Sequence, residues 1–308
     1  MIYDTVIIGG GPAGYTAALY CARAGLSVAV VEKMSAGGQM TLTGEIDNYP
    51  GFPNGIDGFT LGMNMEQGAA RFGAQTLYDQ VETVNLSGRV KEITTLMGNT
   101  LQAKTVILAM GANPRPLGLA GEETALGRGI HYCAHCDGRF YKDKIVAVVG
   151  GGNSAVQDAL YLAGLCKQVF LIHRRDTLRA EKIYHAPLQA QENVTLLWNS
   201  AVTAFTQENG KFQGITLQNL QTQETTSLAC DGLFVSIGRA PATDFVNDLL
   251  PLDPAGYIMA DETTQTPIPG VYAVGDVRTK PLRQVVTAVA DGATAAHFVS
   301  HYLDLLKA

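Results

Sequence analysis

A glycine fingerprint that occurs twice sets the tightest limit on what this chain can fold into. An apolar run over residues 3–8 leads into Gly9-Gly10-Gly11-Pro12-Ala13-Gly14, and a helical pattern follows to about residue 24. Strand, glycine turn and helix in that order open a dinucleotide-binding βαβ unit. Gly9 permits the tight turn, Gly11 lets the backbone approach a pyrophosphate, and Gly14 lets the helix pack closely on the strand. The helix N-terminus favours the anion, and Pro12 suits its first turn. A second apolar strand over residues 27–31 ends in Glu32. That is about 20 residues beyond the fingerprint, where an acid binds a ribose 2′-hydroxyl and excludes a 2′-phosphate.

The pattern restarts further on. Residues 144–149 read as a strand, Gly150-Gly151-Gly152-Asn153-Ser154-Ala155 as a G-x-G-x-x-A turn, and a helix runs to about residue 163. The next strand, residues 169–172, ends in His173-Arg174-Arg175 with Arg179 a turn later, and no carboxylate stands at its tip. Arginines there accommodate a 2′-phosphate, so the second site predicts NADPH rather than NADH.

Between the two fingerprints lies Cys133-Ala134-His135-Cys136-Asp137-Gly138. A C-x-x-C pair in a chain without export signals reads as redox chemistry or as half a metal site. His131, Cys133, His135 and Cys136 would be the metal candidates, but no second C-x-x-C or H-x-x-x-H completes a zinc set. Cys21, Cys166 and Cys230 are most simply buried thiols in a reducing compartment.

The remaining segments organise these motifs. Residues 37–53 turn to Gly, Thr, Asn and Pro, a long loop that carries Gln39 and Asn48 and reads as a binding loop. A helix over about 59–72 and short strands over 75–108 lead to a crossing at 109–116, which Gly238-Arg239-Ala240-Pro241 repeats after a strand-rich stretch. The first domain boundary falls near Arg115. A short strand ends in Gly275-Asp276, where the acid binds a ligand hydroxyl or caps a turn, and a helix over about 282–306 closes the chain.

Composition excludes several classes. With 308 residues, two domains are expected, and 46% hydrophobic content supports well-buried cores. A net charge of −6 gives no general attraction to nucleic acid or anionic lipid. No apolar window reaches the length of a membrane span, because Gly, Asp or His interrupts each one, including the Ala/Val-rich stretch after Gln284. Without a signal peptide, a soluble cytoplasmic protein is expected.

Taken together, the two fingerprints, C-A-H-C-D-G before the second, H-R-R after it, and G-D followed by Arg283-Gln284 resemble the bacterial-type low-molecular-weight thioredoxin reductases over essentially the whole chain. The resemblance implies an α/β fold of two Rossmann-like three-layer domains. A FAD domain would be built from residues 1–115 and 246–308, with an NADPH domain, residues 116–245, inserted between. It implies FAD contacts from Gly9, Gly11, Pro12, Ala13, Gly14, Glu32, Gln39, Asn48, Asp276, Arg283 and Gln284. NADPH contacts would come from Gly150, Gly152, Asn153, Ser154, Ala155, His173, Arg174, Arg175 and Arg179. It further implies that electrons pass from NADPH through FAD to a Cys133–Cys136 disulfide and on to thioredoxin or a thioredoxin-like disulfide protein. Cys136 would face the flavin, Cys133 attack the partner and Asp137 act as general acid or base. Family members are usually homodimers, and they rotate the inner domain about the two crossings.

His135 departs from the residues usual between these cysteines and is similar to the reductase component of the alkyl hydroperoxide system. The Arg174-Arg175 pair, and the lack of an N-terminal disulfide-carrying extension, favour the thioredoxin reductase reading. Other readings of the same fold are a ferredoxin-linked donor, a peroxiredoxin-system reductase and an oxidase of small dithiols. Protonated, His135 would lower a thiol pKa; otherwise it is surface loop.

Overall fold

The computed structural model describes residues 1–42, 45–208 and 210–307. The chain forms two compact units, Met1–Asn113 with Ala240–Ala308, and Pro114–Arg239.

The first unit opens with β1 (Ile2–Ile8), α1 (Pro12–Arg23), β2 (Val28–Glu32), α2 (Gly58–Ala70), β3 (Gln75–Tyr78), β4 (Val81–Asn85), β5 (Lys91–Thr95), β6 (Thr100–Leu108) and β7 (Ala112–Pro114). The second carries α3 (Glu122–Ala125), β8 (Ile130–His131), α4 (Ala134–Asp137), β9 (Ile145–Val149), α5 (Asn153–Ala163), β10 (Gln168–Ile172), α6 (His185–Gln189), β11 (Val194–Leu197), β12 (Ser200–Glu208), β13 (Lys211–Asn219), β14 (Thr225–Ala229) and β15 (Gly232–Val235). The chain then returns to the first unit through β16 (Arg239–Pro241) and completes it with β17 (Val271–Ala273) and α7 (Val285–Leu305). The outgoing and returning crossings pair as a two-stranded ribbon of β7 and β16.

In the first unit the described strands form a seven-stranded sheet ordered β3-β2-β1-β6-β5-β4, with β17 also on β6. β1 pairs in parallel with β2 and β6. The long β6 serves two partners on one edge: its first half pairs antiparallel with β5 and its last three residues pair in parallel with β17. Successive side chains of the central strands point to opposite faces, and both faces are covered, which is why these strands read as unbroken apolar runs. Ile7, Val30, Ile107 and Tyr272 face the helices α1 and α7, while Val6, Ile8, Val31, Val106, Leu108 and Ala273 face Leu86, Ile93, Val246 and Ile258.

The two long helices approach closely because small residues line the contact. A Cβ at Gly292 of α7 would lie 2.3 Å from the Ala13 carbonyl oxygen of α1. The last helix begins three residues later than its pattern predicts, because Gln284 and Thr287 form a reciprocal capping box that fixes its start.

The second unit repeats the plan with a parallel sheet ordered β11-β10-β9-β15-β8. Val146, Val148, Val169 and Leu171 pack on Ala155, Val156, Ala159 and Leu162 of α5. On the other face Ala147, Val149, Ile172 and Leu233 pack on Val202, Phe212, Ile215 and Leu217 of the antiparallel sheet β12-β13-β14. Each unit is thus a Rossmann-like three-layer α/β structure, as the resemblance implies.

Candidate functional site

The first fingerprint follows β1 at the carboxyl end of the parallel strands, where open α/β sheets bind ligands. Gly9 sits at φ +105°, and a Cβ there would lie 2.4 Å from the Ala109 carbonyl oxygen. A Cβ at Gly14 would fall 1.9 Å from the Gly9 carbonyl oxygen, so the first turn of α1 rests directly on the loop. Gly11 differs: a Cβ there meets no atom within 4 Å. It also precedes a helix whose first-turn N–H groups receive no side-chain cap. Open space at an uncapped helix N-terminus is a cradle that fits a pyrophosphate.

Glu32 is buried at the tip of β2 and braces this loop. Its Oε2 accepts the Gly10 N–H at 2.6 Å and its Oε1 accepts the Met34 N–H at 3.0 Å. Each carboxylate oxygen retains a second lone pair for a ribose hydroxyl. The loop after β2 comes to the same place, because the Gly37 N–H donates to the Gly10 carbonyl at 2.8 Å. Gln39 follows within a 3₁₀ turn and donates to Asn113 Oδ1 at 3.1 Å.

The C-terminal segment completes this cluster. A Cβ at Gly275 would lie 3.0 Å from that of Ala13, which sets the residue before Asp276 against the first turn of α1. Asn48 donates to Gln284 Oε1 at 3.0 Å across 236 positions of sequence. Arg283 lies 3.9 Å over the Tyr257 ring and donates to the carbonyls of Asp276 and Arg278. Beneath them is a charge cluster that the motifs do not signal. Asp291 of α7 accepts from the Gly275 N–H, from Nε and Nη2 of Arg278, and from Lys280, each at 2.8 Å.

The second fingerprint is built alike. A Cβ at Gly150 would lie 2.3 Å from the Ser236 carbonyl oxygen, whereas one at Gly152 meets nothing within 4 Å. Helix α5 again starts at Asn153 without a side-chain cap, with Ser154 and Ala155 in its first turn. The segment after β10 folds back on this loop, the Arg179 N–H donating to the Gly151 carbonyl at 2.7 Å. Arg174, Arg175 and Arg179 are exposed, while His173 is 4% exposed and lies under Gly151 with its ring edge-on to Trp198. Burial, with help from the three arginines, holds the His173 pKa below the usual imidazole value. The ring is therefore neutral support for the loop, and the three guanidinium groups form its positive rim.

The C-x-x-C pair is joined: the Cys133 and Cys136 sulfurs form a disulfide at the start of α4. The Cys136 N–H points at Cys133 Sγ, 3.2 Å away. Asp137 is buried, its Oδ2 held by His131 Nδ1 at 2.9 Å, and His131 Nε2 meets the Tyr141 hydroxyl at 2.7 Å. His135 is exposed and its ring lies over Tyr161, centroids 4.2 Å apart. The other three cysteines are buried, and burial pushes the thiols of Cys21 and Cys230 up to about 12 and that of Cys166 to about 11. Such thiols are inert at neutral pH.

Comparison with known proteins agrees with this geometry. Residues 3–292 match the family described as pyridine nucleotide-disulphide oxidoreductase. A thioredoxin reductase of Treponema pallidum (strain Nichols) is 43% identical over 99% of this chain and 98% of its own. A bifunctional thioredoxin reductase/thioredoxin of Mycobacterium leprae (strain TN) is 44% identical over 96% of this chain and 64% of its own length. The crystal structure of thioredoxin reductase from Streptococcus pyogenes MGAS5005 superposes with a TM-score of 0.89 at 44% identity, covering 99% of both chains. With two nucleotide cradles and a closed Cys-x-x-Cys pair on one chain, and likeness to these relatives along its whole length, the chain belongs to the thioredoxin reductases of the pyridine nucleotide-disulphide oxidoreductase family.

Proposed function

We propose that this chain is an NADPH-dependent flavoprotein that reduces the disulfide of a thioredoxin or thioredoxin-like protein through Cys133 and Cys136. The observation that carries the reading is the Cys133–Cys136 disulfide beside a buried Asp137, on the same unit as a phosphate cradle rimmed by three arginines. The first unit holds FAD: Gly9, Gly11, Pro12, Ala13 and Gly14 take the pyrophosphate, and Glu32 takes the adenosine ribose. Gln39, Asn48, Asp276, Arg283 and Gln284 line the remainder. The second unit holds NADPH on Gly150, Gly152, Asn153, Ser154 and Ala155, with Arg174, Arg175 and Arg179 on its 2′-phosphate and His173 beneath. Bound NADPH supplies a hydride and bound FAD relays two electrons, chemistry that no side chain here provides.

The protein's own groups perform the exchange. Cys133 is the attacking sulfur and Cys136 the flavin-side one, as the family resemblance implies; in the disulfide the Cys136 N–H donates to Cys133 Sγ. Its attack breaks the partner disulfide, and Cys136 then closes on Cys133 to release the partner dithiol. Two electrons pass to the partner, and two protons follow them. Asp137 moves one of these protons between sulfurs. The bifunctional relative, named for both activities, supports thioredoxin as the acceptor. We place the enzyme in the cytoplasm as a homodimer; no helix among the described residues is long and apolar enough to cross a membrane.

The test is steady-state NADPH oxidation by the flavin-loaded enzyme with an oxidised bacterial thioredoxin. One NADPH is consumed per disulfide reduced, NADH is a poor substitute, and Cys136→Ser abolishes turnover. Thioredoxin-dependent turnover that survives in Cys136→Ser would overturn the assignment.

A further inference from the structure

His131, Asp137 and Tyr141 form a buried chain of hydrogen bonds. His131 ends β8 and is 4% exposed; Asp137 ends α4 and Tyr141 follows in a 3₁₀ turn, each 8% exposed. The imidazole is locked on two sides, with the Phe234 ring stacked at 5.2 Å and the Tyr141 ring edge-on at 5.1 Å. Tyr141 is fixed in turn, since a Cβ at Gly232 would lie 2.4 Å from its ring. Burial, then the Asp137 and Asp231 carboxylates, push the Tyr141 phenol up to about 12. Its O–H therefore stays protonated and donates to Nε2, which leaves Nδ1–H to donate to Asp137 Oδ2.

We propose that His131 is a positioning residue for dithiol exchange: locked between Phe234 and Tyr141, it holds the Asp137 carboxyl by Oδ2 in the orientation from which that group exchanges a proton with the thiols. The proposal rests on Asp137 as the proton carrier of the reaction above. In each turnover the Cys133–Cys136 bond forms and the partner S–S bond breaks, with the dithiol's two electrons passing to the partner. Asp137 accepts a proton from an enzyme thiol and gives it to a partner thiolate. The hydrogen bond from His131 fixes the orientation of the carboxyl, so its loss frees that group to turn. Among the described residues, charged and titratable groups around this chain include Lys144, whose ammonium lies 5.2 Å over the Tyr141 ring, and Cys230 and Asp231, which act on the Tyr141 phenol. On α4 itself His135 faces Asp158 of α5.

The experiment compares kcat and KM of the flavin-loaded enzyme and its variants with oxidised bacterial thioredoxin. His131→Phe keeps the ring stacking but removes both nitrogens. It lowers kcat about tenfold and leaves the KM for thioredoxin within about twofold. His131→Asn restores a donor to Asp137 and recovers kcat to within about threefold. Combined with Asp137→Asn, His131→Phe adds no further loss, because both changes remove one function. As a readout independent of turnover, iodoacetamide alkylation of the dithiothreitol-reduced dithiol slows in His131→Phe and recovers in His131→Asn. Tyr141→Phe, which leaves the packing intact, lowers kcat and the alkylation rate by a smaller amount and carries the test if His131→Phe does not fold. A kcat and an alkylation rate in the foldable variants that match the parent, or losses from His131→Phe and Asp137→Asn that multiply, overturn the proposal. Full activity in Asp137→Asn overturns it at its base, whereas absence of any thioredoxin-dependent turnover in the parent enzyme overturns the proposed function instead.

Discussion

Replacing Asp291 by Asn tests whether the buried charge cluster under the Gly275-Asp276 turn holds the first unit together. Asp291 is 7% exposed, and its two carboxylate oxygens accept four hydrogen bonds at 2.8 Å, three of them from the cationic side chains of Arg278 and Lys280. Asn is nearly isosteric, but it carries no charge and turns one acceptor oxygen into a donor facing cations. Arg278 and Lys280, whose side chains are 2% and 4% exposed, then lose the carboxylate they pair with, although Asp261 and Glu262 still act on Arg278. Breaking a buried pair by removing one partner costs about 3–5 kcal/mol, which lowers the urea midpoint by roughly 1–2 M for a chain of this size. The sign with pH follows from the shift. Burial alone raises the Asp291 pKa, but hydrogen bonds from Arg278 and Lys280 outweigh it and hold the carboxyl below its ordinary value of 3.8. Its contribution is complete above that value and is lost as pH falls through the lower folded one. Urea unfolding of the flavin-loaded parent and Asp291→Asn proteins, at neutral pH and again in acid, measures both effects. A loss under about 1 kcal/mol at neutral pH would refute the reasoning, because it would mean that the cations are solvated after all.

The two glycines that face open space separate binding from folding. Gly11→Ala and Gly152→Ala meet no protein atom, so urea stability of the flavin-free protein changes by under about 1 kcal/mol. Gly11→Ala nonetheless weakens FAD retention in equilibrium dialysis at least about tenfold, and Gly152→Ala raises the KM for NADPH similarly, by blocking backbone approach to phosphate. Gly14→Ala, with its Cβ 1.9 Å from a carbonyl oxygen, instead yields little folded protein. Arg174→Ala with Arg175→Ala lowers kcat/KM for NADPH by about 10- to 100-fold and leaves the value for NADH within about twofold in steady-state assays, since only the 2′-phosphate distinguishes them.

Features that depend on neighbouring residues were legible in the sequence. Each glycine fingerprint is a local device, and Glu32 and Arg174-Arg175 declare themselves by standing at strand tips. The pairing of Asn48 with Gln284 is not local, and no spacing rule joins positions so far apart. His131 read only as a candidate metal ligand, because its link to Asp137 depends on α4 turning the chain back toward β8. Asp291 showed itself only as the acid that interrupts an apolar helix; its cations come from an extended segment without periodicity. His173 belongs with the arginines in sequence but not in space. The strand ends at Ile172 and the chain bends, so His173 turns under Gly151 while Arg174 and Arg175 stay in solvent.

The central claim is that electrons from NADPH arrive at the Cys133–Cys136 disulfide. The most direct measurement is anaerobic titration of the flavin-loaded enzyme with NADPH and no partner, followed by iodoacetamide under native conditions and peptide mass spectrometry. The account predicts that alkylation at Cys133 and Cys136 rises with added NADPH, while the buried Cys21, Cys166 and Cys230 stay unmodified. A flavin that bleaches while Cys133 and Cys136 remain disulfide-bonded and unalkylated would contradict it.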